Sequence, residues 1–365
     1  MKLRPVRLLL FSLVVLLCAC LPAETTTDPC ADAGVAAPTT LVSGRAMKNL
    51  AVTADALVYV DTEGRGTLRR ASLDGSNDTA LYASPMGKRL FDSLVVGDTV
   101  WLFEQESGLT GIITRVLKVP LAGGAPASLV LAGAPVFFLR HEVSPERFFV
   151  RVANSGSEAG ELFAMATDGT LTRFLGPKNL DLAQVTDDGI FFMYRPSIGD
   201  DASSRALHRA AKEANATDAQ VGEVHCRGDF YRLAGGNLLC AGYSSTGTGS
   251  PRSAHITQLD ANGGNPRTLV DFSDVKGRAF SSASVAAEVG DEVLLSFSGS
   301  SDTVPLLAVK TSTGAARAIA CNVTSPRFDT GSGRAEVVVV GDSVYWIAQG
   351  ARGVPPETIF KASLR

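Results

Sequence analysis

Histidine is scarce in this chain. There are four in 365 residues, His141, His208, His225 and His255, and no two are close in sequence. H-E-x-x-H, G-x-S-x-G and the P-loop are all missing, which removes the short signatures of zinc proteolysis, serine hydrolysis and nucleotide binding. No C-x-x-C pair is present to seat zinc, so neither a metal nor a cofactor is expected. Lys and Arg number 34 against 37 Asp and Glu, a net charge of −3 with no basic stripe. Nucleic acid is therefore not an expected partner. The one long apolar run, residues 8–17, is too short to span a bilayer.

That run belongs to an export signal. Lys2, Arg4 and Arg7 precede it, and Leu17-Cys18-Ala19-Cys20 follows. The ending resembles a bacterial lipobox, and the resemblance makes Cys20 the lipidated N-terminus of the processed chain. Stable attachment to a membrane through acyl chains is then expected. Leu21 rather than Asp follows Cys20, which by resemblance to enterobacterial lipoproteins favours the outer membrane. Residues 1–19 are read as the signal peptide, 20–38 as a Thr-, Ala- and Pro-rich flexible tether, and 39–365 as the folded domain.

What the sequence has in quantity is a repeat. VVGDTVWLF (95–103) returns as VVGDSVYWI (339–347), and weaker copies lie at 52–60, 143–151, 185–193, 233–241 and 289–297. Their aligned apolar residues run from Leu57 to Val344 in six steps of about 48 residues. That is the ~40–50 residue period of propeller blades. Each copy reads as strand, Gly-Asp turn, strand. A second hairpin with a Gly-bearing turn follows, as in RVLKVPLAGGAPASLVL (115–131). Four strands, A to D, per repeat predict an all-β, seven-bladed β-propeller of four-stranded antiparallel blades, with six or eight blades as the alternative. The fourth copy carries SSRALHRAAKEANATDAQ (203–220), helix-prone by composition but in register for strand C at 206–211. The register reading is preferred.

The last copy lacks its fourth strand, while Thr39-Thr40-Leu41-Val42-Ser43 is an orphan with nothing local to pair with. Pairing the two closes the ring and removes an open edge. This closure brings Cys30 beside Cys321 and leaves Cys226 to pair with Cys240, two disulfides for an exported chain.

Gly341-Asp342-Ser343-Val344-Tyr345-Trp346 together with residues 115–124 resembles the YWTD/TolB-like propellers and propeller lipoproteins of bacteria. The resemblance covers about residues 40–365 and implies a fold, with binding modules, scaffolds and some enzymes among its members. The expected role is non-catalytic binding or scaffolding in the cell envelope by a monomer, with an exported hydrolase or lyase as the alternative. The long B–C connections share one face with the D–A connections, and that face is the expected contact surface for an envelope protein, glycan or small ligand. At the channel mouth the inner strands align Asn49, Asp92, Arg140, Asp181, Asp229, Ser284 and Glu336. Of these Asp92, Arg140, Asp181, Asp229 and Glu336 are the candidate ligand-binding residues, because converging charges can bind a cation or basic ligand. Trp101 and Trp346 are placed at equivalent points of strand B in two blades, as core aromatics.

Overall fold

The computed structural model describes residue 30 and residues 34–108, 111–132, 136–153, 160–178, 180–194, 205–224, 229–244, 253–272, 280–299, 304–323, 337–348 and 356–365. Residues 1–19, Cys20, Cys226 and Glu336 lie outside them. Twenty-eight strands form seven four-stranded sheets, every pairing antiparallel. Six sheets are contiguous in chain order. The seventh has the order β1 (Thr39–Arg45), β28 (Glu357–Ser363), β27 (Ser343–Ala348), β26 (Val337–Val340), so the N-terminal strand completes the last blade. The protein is a closed seven-bladed β-propeller, with no helix among the described residues.

The Gly-Asp element has a mechanical role. Gly97, Gly290 and Gly341 lie in the left-handed region at φ 59, 62 and 57°, where a Cβ is costly. The Asp that follows each one offers its backbone carbonyl to the residue just after strand C. Leu121 N donates to Asp98 O, Thr311 N to Asp291 O and Leu364 N to Asp342 O, all at 2.8 Å. The A–B turn is thereby fastened to the end of strand C at one end of the blade.

Strand B is apolar without alternation because both of its faces are buried. In β27, Val344 and Trp346 pack toward blade six, while Tyr345 and Ile347 pack toward blade one. Each of the seven interfaces between blades carries one apolar cluster among the described residues. Trp101 and Trp346 are buried but are not equivalent. Trp101 aligns with Tyr345, so the period of two sends Trp101 and Trp346 to opposite faces of their blades. Trp101 meets Phe148 of the following blade at 4.3 Å, whereas Trp346 faces the preceding blade.

Adjacent blades also dock through close backbone contacts at their outer edges. The C–D turn of one blade presses on strand D of the blade before it. A Cβ at Gly75 would stand 2.1 Å from Leu41 O, one at Gly314 2.1 Å from Leu269 O, and one at Gly222 1.4 Å from Asn262 O. Asn215 N donates to Arg173 O at 3.0 Å in the same manner. In the fourth blade the helix-prone stretch is strand: β16 (Arg205–Ala210) and β17 (Asp218–Val224) pair across it. Neighbouring strands supply its hydrogen bonds, and tertiary pairing overrides propensity.

Arg317, on β25 (Ala316–Val323), grips Glu292 on β23 (Glu292–Gly299) with two hydrogen bonds of 3.1 and 2.6 Å. It also donates to Leu364 O of the last blade at 2.6 Å. The Arg317 hydrogen bond holds the Glu292 carboxyl below its ordinary value of 4.5, against burial, which raises it. A depressed carboxyl contributes stability that is present above its unfolded value and lost as pH falls through the folded one. Wild type is therefore expected to lose stability relative to Glu292→Gln as pH drops below about 4.5, measured as the difference in urea midpoint at pH 7 and pH 3. A pH-independent difference would contradict this.

Cys30 and Cys321 are joined by a disulfide, with Cα atoms 5.9 Å apart across 291 residues of sequence. Cys240 is also disulfide-bonded.

Candidate functional site

The inner wall of the ring is lined by strand A of each blade, and most of these strands carry a β-bulge. The register breaks between Lys48 and Ala51, Leu90 and Asp92, Phe138 and Arg140, Leu180 and Leu182, and Val285 and Ala287. A bulge re-aims side chains, and beside these breaks Asp92 and Arg140 reach neighbouring blades.

Asp92, on β6 (Lys88–Val96), is 5% exposed. One carboxylate oxygen accepts from Asn49 Nδ2 of blade one at 2.5 Å and from Ser93 N at 2.8 Å. The other accepts from Phe138 N of blade three at 2.8 Å. Asn49 reaches it from a left-handed backbone, φ 57°. Lys48 lies alongside and donates to Phe91 O at 2.5 Å. One buried carboxylate thus laces three consecutive blades at the channel.

Arg140, on β10 (Val136–Val143), runs the other way along the channel. Its guanidinium donates to Val185 O at 2.9 Å and pairs with the Asp187 carboxylate, on the A–B turn of blade four. The structure therefore does not bring Arg140 and Asp92 together. Asp181 sits at the bulge of β14 (Leu180–Val185) and Asp229 begins β18 (Asp229–Arg232).

A second grouping, not foreseen from sequence, forms at the A–B end of the channel. A cleft of about 450 Å³ that runs from blade three across blades four and five to blade six is lined by Arg140, Asp187, Asp188, Arg232 and Glu288. Arg232 lies over the Phe191 ring at 4.0 Å and donates to the Asp188 carboxylate at 2.7 Å. Burial pushes the Asp188 carboxyl up, but hydrogen bonds from Thr186 and Arg232 outweigh it and hold it below its usual range. The Gln184 amide clasps both backbone groups of Arg232, at 2.6 and 3.2 Å, and Glu288 accepts from Ala234 N at 3.0 Å. The contacts made by Arg232, Gln184 and Glu288 each join one blade to the next. No single repeat signals this grouping; Thr186-Asp187-Asp188 and Arg232 read locally as ordinary turn residues.

Three of the histidines are described, and they occupy three blades. His208 Nδ1 lies 2.8 Å from Asp218, which also accepts from Tyr194 OH at 2.9 Å. His208 and Asp218 are on the two outer strands of blade four, away from the channel. Among the described residues no group of three or more His, Cys, Asp or Glu is placed to share a metal ion. Asp74 and Asp260, at positions that superficially resemble calcium loops, cap their own C–D turns: Asp74 accepts from Ser76 N and Asp260 from Asn262 N, each at 2.9 Å.

No protein-family model and no curated protein matches the sequence. Solved structures do match the fold. A puromycin-hydrolyzing peptidase of Mycobacterium tuberculosis is similar over 88% of this chain and 51% of its own, with TM-score 0.57 and 13% identity. A prolyl endopeptidase is similar over 88% and 48%, with TM-score 0.56 and 10% identity. BamB of Moraxella catarrhalis is similar over 89% and 99%, with TM-score 0.44 and 12% identity. The chain spans about half the length of the two peptidases. At these identities the similarity defines the class, a β-propeller, and nothing narrower.

Proposed function

We infer that the protein is an exported lipoprotein, anchored in the cell envelope through Cys20, that works as a non-catalytic binding or scaffolding propeller. The observation that carries this reading is the engagement of Asp92. The channel carboxylate described in full has both oxygens committed to tying blades together, which is what a scaffold needs. Function then falls to the connections at the B–C and D–A end, where two of the three exposed large apolar side chains among the described residues lie. These are Met86, 79% exposed in the first D–A connection, and Ile112, 40% exposed beside the second B–C connection. The third, Val143, is at the opposite end beside an A–B turn. Exposed apolar groups held on a rigid scaffold are suited to protein contact.

Two measurements test this. Cys20→Ser is expected to move the protein from the membrane to the soluble fraction of fractionated cells; unchanged membrane retention overturns the anchor. A photo-crosslinking residue at Met86 or Ile112 is expected to yield envelope adducts in cells, while the same residue at Val143 yields none. Adducts from Val143 alone overturn the assigned face.

A further inference from the structure

The cleft at the A–B end of the channel holds two groups of opposite sign that the ring leaves incompletely engaged. Its charged lining is two arginines, Arg140 and Arg232, against three carboxylates, Asp187, Asp188 and Glu288, a net charge of −1. Arg140 pairs with Asp187, and Arg232 Nη2 pairs with Asp188. Glu288, on β22 (Phe280–Val289), is the carboxylate left over. Its oxygens accept from Ala234 N at 3.2 and 3.0 Å, and among the described residues no cation forms an ion pair with it. The other group is the Arg232 guanidinium. Its side chain is 10% exposed, and Nη1 is buried without an acceptor. A buried, charged N–H left so is costly and calls for a partner. Arg232 and Glu288 do not serve each other, because each is held elsewhere. The Gln184 amide fixes the Arg232 backbone at 2.6 and 3.2 Å, and the guanidinium lies on the Phe191 ring at 4.0 Å.

We propose that this cleft is a binding site for a small zwitterion, whose carboxylate accepts from Arg232 Nη1 and whose ammonium group faces Glu288. A simple cation would leave the buried Nη1 unserved. A simple anion would enter a cleft that already carries −1 and would leave Glu288 unpaired. A metal ion needs converging ligands, and among the described residues no group of three or more His, Cys, Asp or Glu is placed to supply them. One molecule carrying both charges answers both groups, through charge-assisted hydrogen bonds, the stronger kind. The volume, about 450 Å³, lies in the range of small-molecule sites. The turn beside the guanidinium is built from Gly235 and Gly236. A Cβ at Gly236 would stand 3.7 Å from Arg232 Nη2, and one at Gly235 would meet nothing within 4 Å. No side chain of that turn therefore stands between the cleft and the guanidinium. The site is at the opposite end of the channel from the proposed partner face, so the two readings stand or fall separately.

The probes are 4-aminobutanoate, whose flexible chain lets its two charges separate, and its single-charge analogues butanoate and butylamine. Each is titrated calorimetrically into the full chain in detergent. 4-Aminobutanoate is expected to bind, and each analogue to bind roughly tenfold more weakly or worse, because each leaves one group of the cleft without a partner. No heat from 4-aminobutanoate at millimolar concentration, or equal affinity for either analogue, would overturn the proposal. Glu288→Gln keeps an oxygen for Ala234 N and loses only the charge. It is expected to abolish the preference over butanoate and to keep the preference over butylamine. Arg232→Gln is expected to do the reverse. Arg232 also ties blade five to blade four, so if that variant does not fold, Glu288→Gln decides alone. Affinities unchanged by Glu288→Gln would place the binding elsewhere and overturn the proposal.

Discussion

Gly222→Ala is expected to destabilise the ring by about 3 kcal/mol or more, because overpacking against fixed atoms is among the costlier core changes. Gly222 sits in the outer strand of blade four, and an added Cβ would stand 1.4 Å from Asn262 O and 2.5 Å from its carbonyl carbon. These are backbone atoms and cannot rotate away. The turn that carries them is held by Asp260, which accepts from Asn262 N and Gly264 N at 2.9 and 2.8 Å. Relief therefore requires blades four and five to part, and the apolar cluster around Phe191, Leu238 and Cys240 lies between them. Gly97→Ala is the control. It has nothing within 4 Å of the added carbon and costs only its left-handed backbone, φ 59°, about 1 kcal/mol. Urea unfolding should rank Gly222→Ala well below Gly97→Ala. Equal midpoints would show that the close approach of the two blades is absent in solution.

Asp92→Ala is the second large effect. It removes the acceptor from three donors on three blades, Asn49 Nδ2, Ser93 N and Phe138 N. Leaving buried donors unsatisfied costs about 1–3 kcal/mol each, and the total is expected near 3–4 kcal/mol because some will find water. Asp92→Asn keeps one oxygen and is expected to recover about half of the loss. If Asp92 instead served a ligand and had no part in holding the ring, its removal would leave the unfolding free energy of the isolated protein unchanged. The two outcomes are separated by denaturant midpoints alone.

These two residues mark what a single sequence can disclose. The repeat was legible because blade turns and blade cores have fixed chemistry: Gly at a left-handed turn, an apolar strand buried on both faces. Ring closure was legible because one strand was surplus at the beginning and one was missing at the end. Asp92 could be picked as a channel residue, since its place in the repeat puts it on strand A. Its partners could not, because Asn49 and Phe138 lie 43 and 46 residues away and meet it only through bulges. The repeat places Arg140 at the same mouth, but its length carries the guanidinium to the next blade's A–B turn. The Arg232–Asp188 grouping was invisible for a related reason: converging turns belong to the ring and not to any one repeat. Trp101 and Trp346 are a simpler case. A one-residue offset in the aligned copies is enough to reverse the face.

Closure by the N-terminal strand is the claim on which the rest depends, since in the chain-entropy description the Cys30–Cys321 link closes a loop of nearly the whole domain and contributes about 5 kcal/mol. Amide hydrogen exchange of residues 39–45 in the oxidised protein measures it directly. The ladder to β28 predicts protection of the β1 amides that face it, comparable to that of other outer strands such as β25. Exchange across residues 39–45 at the rate of an unstructured tail would contradict the closed ring.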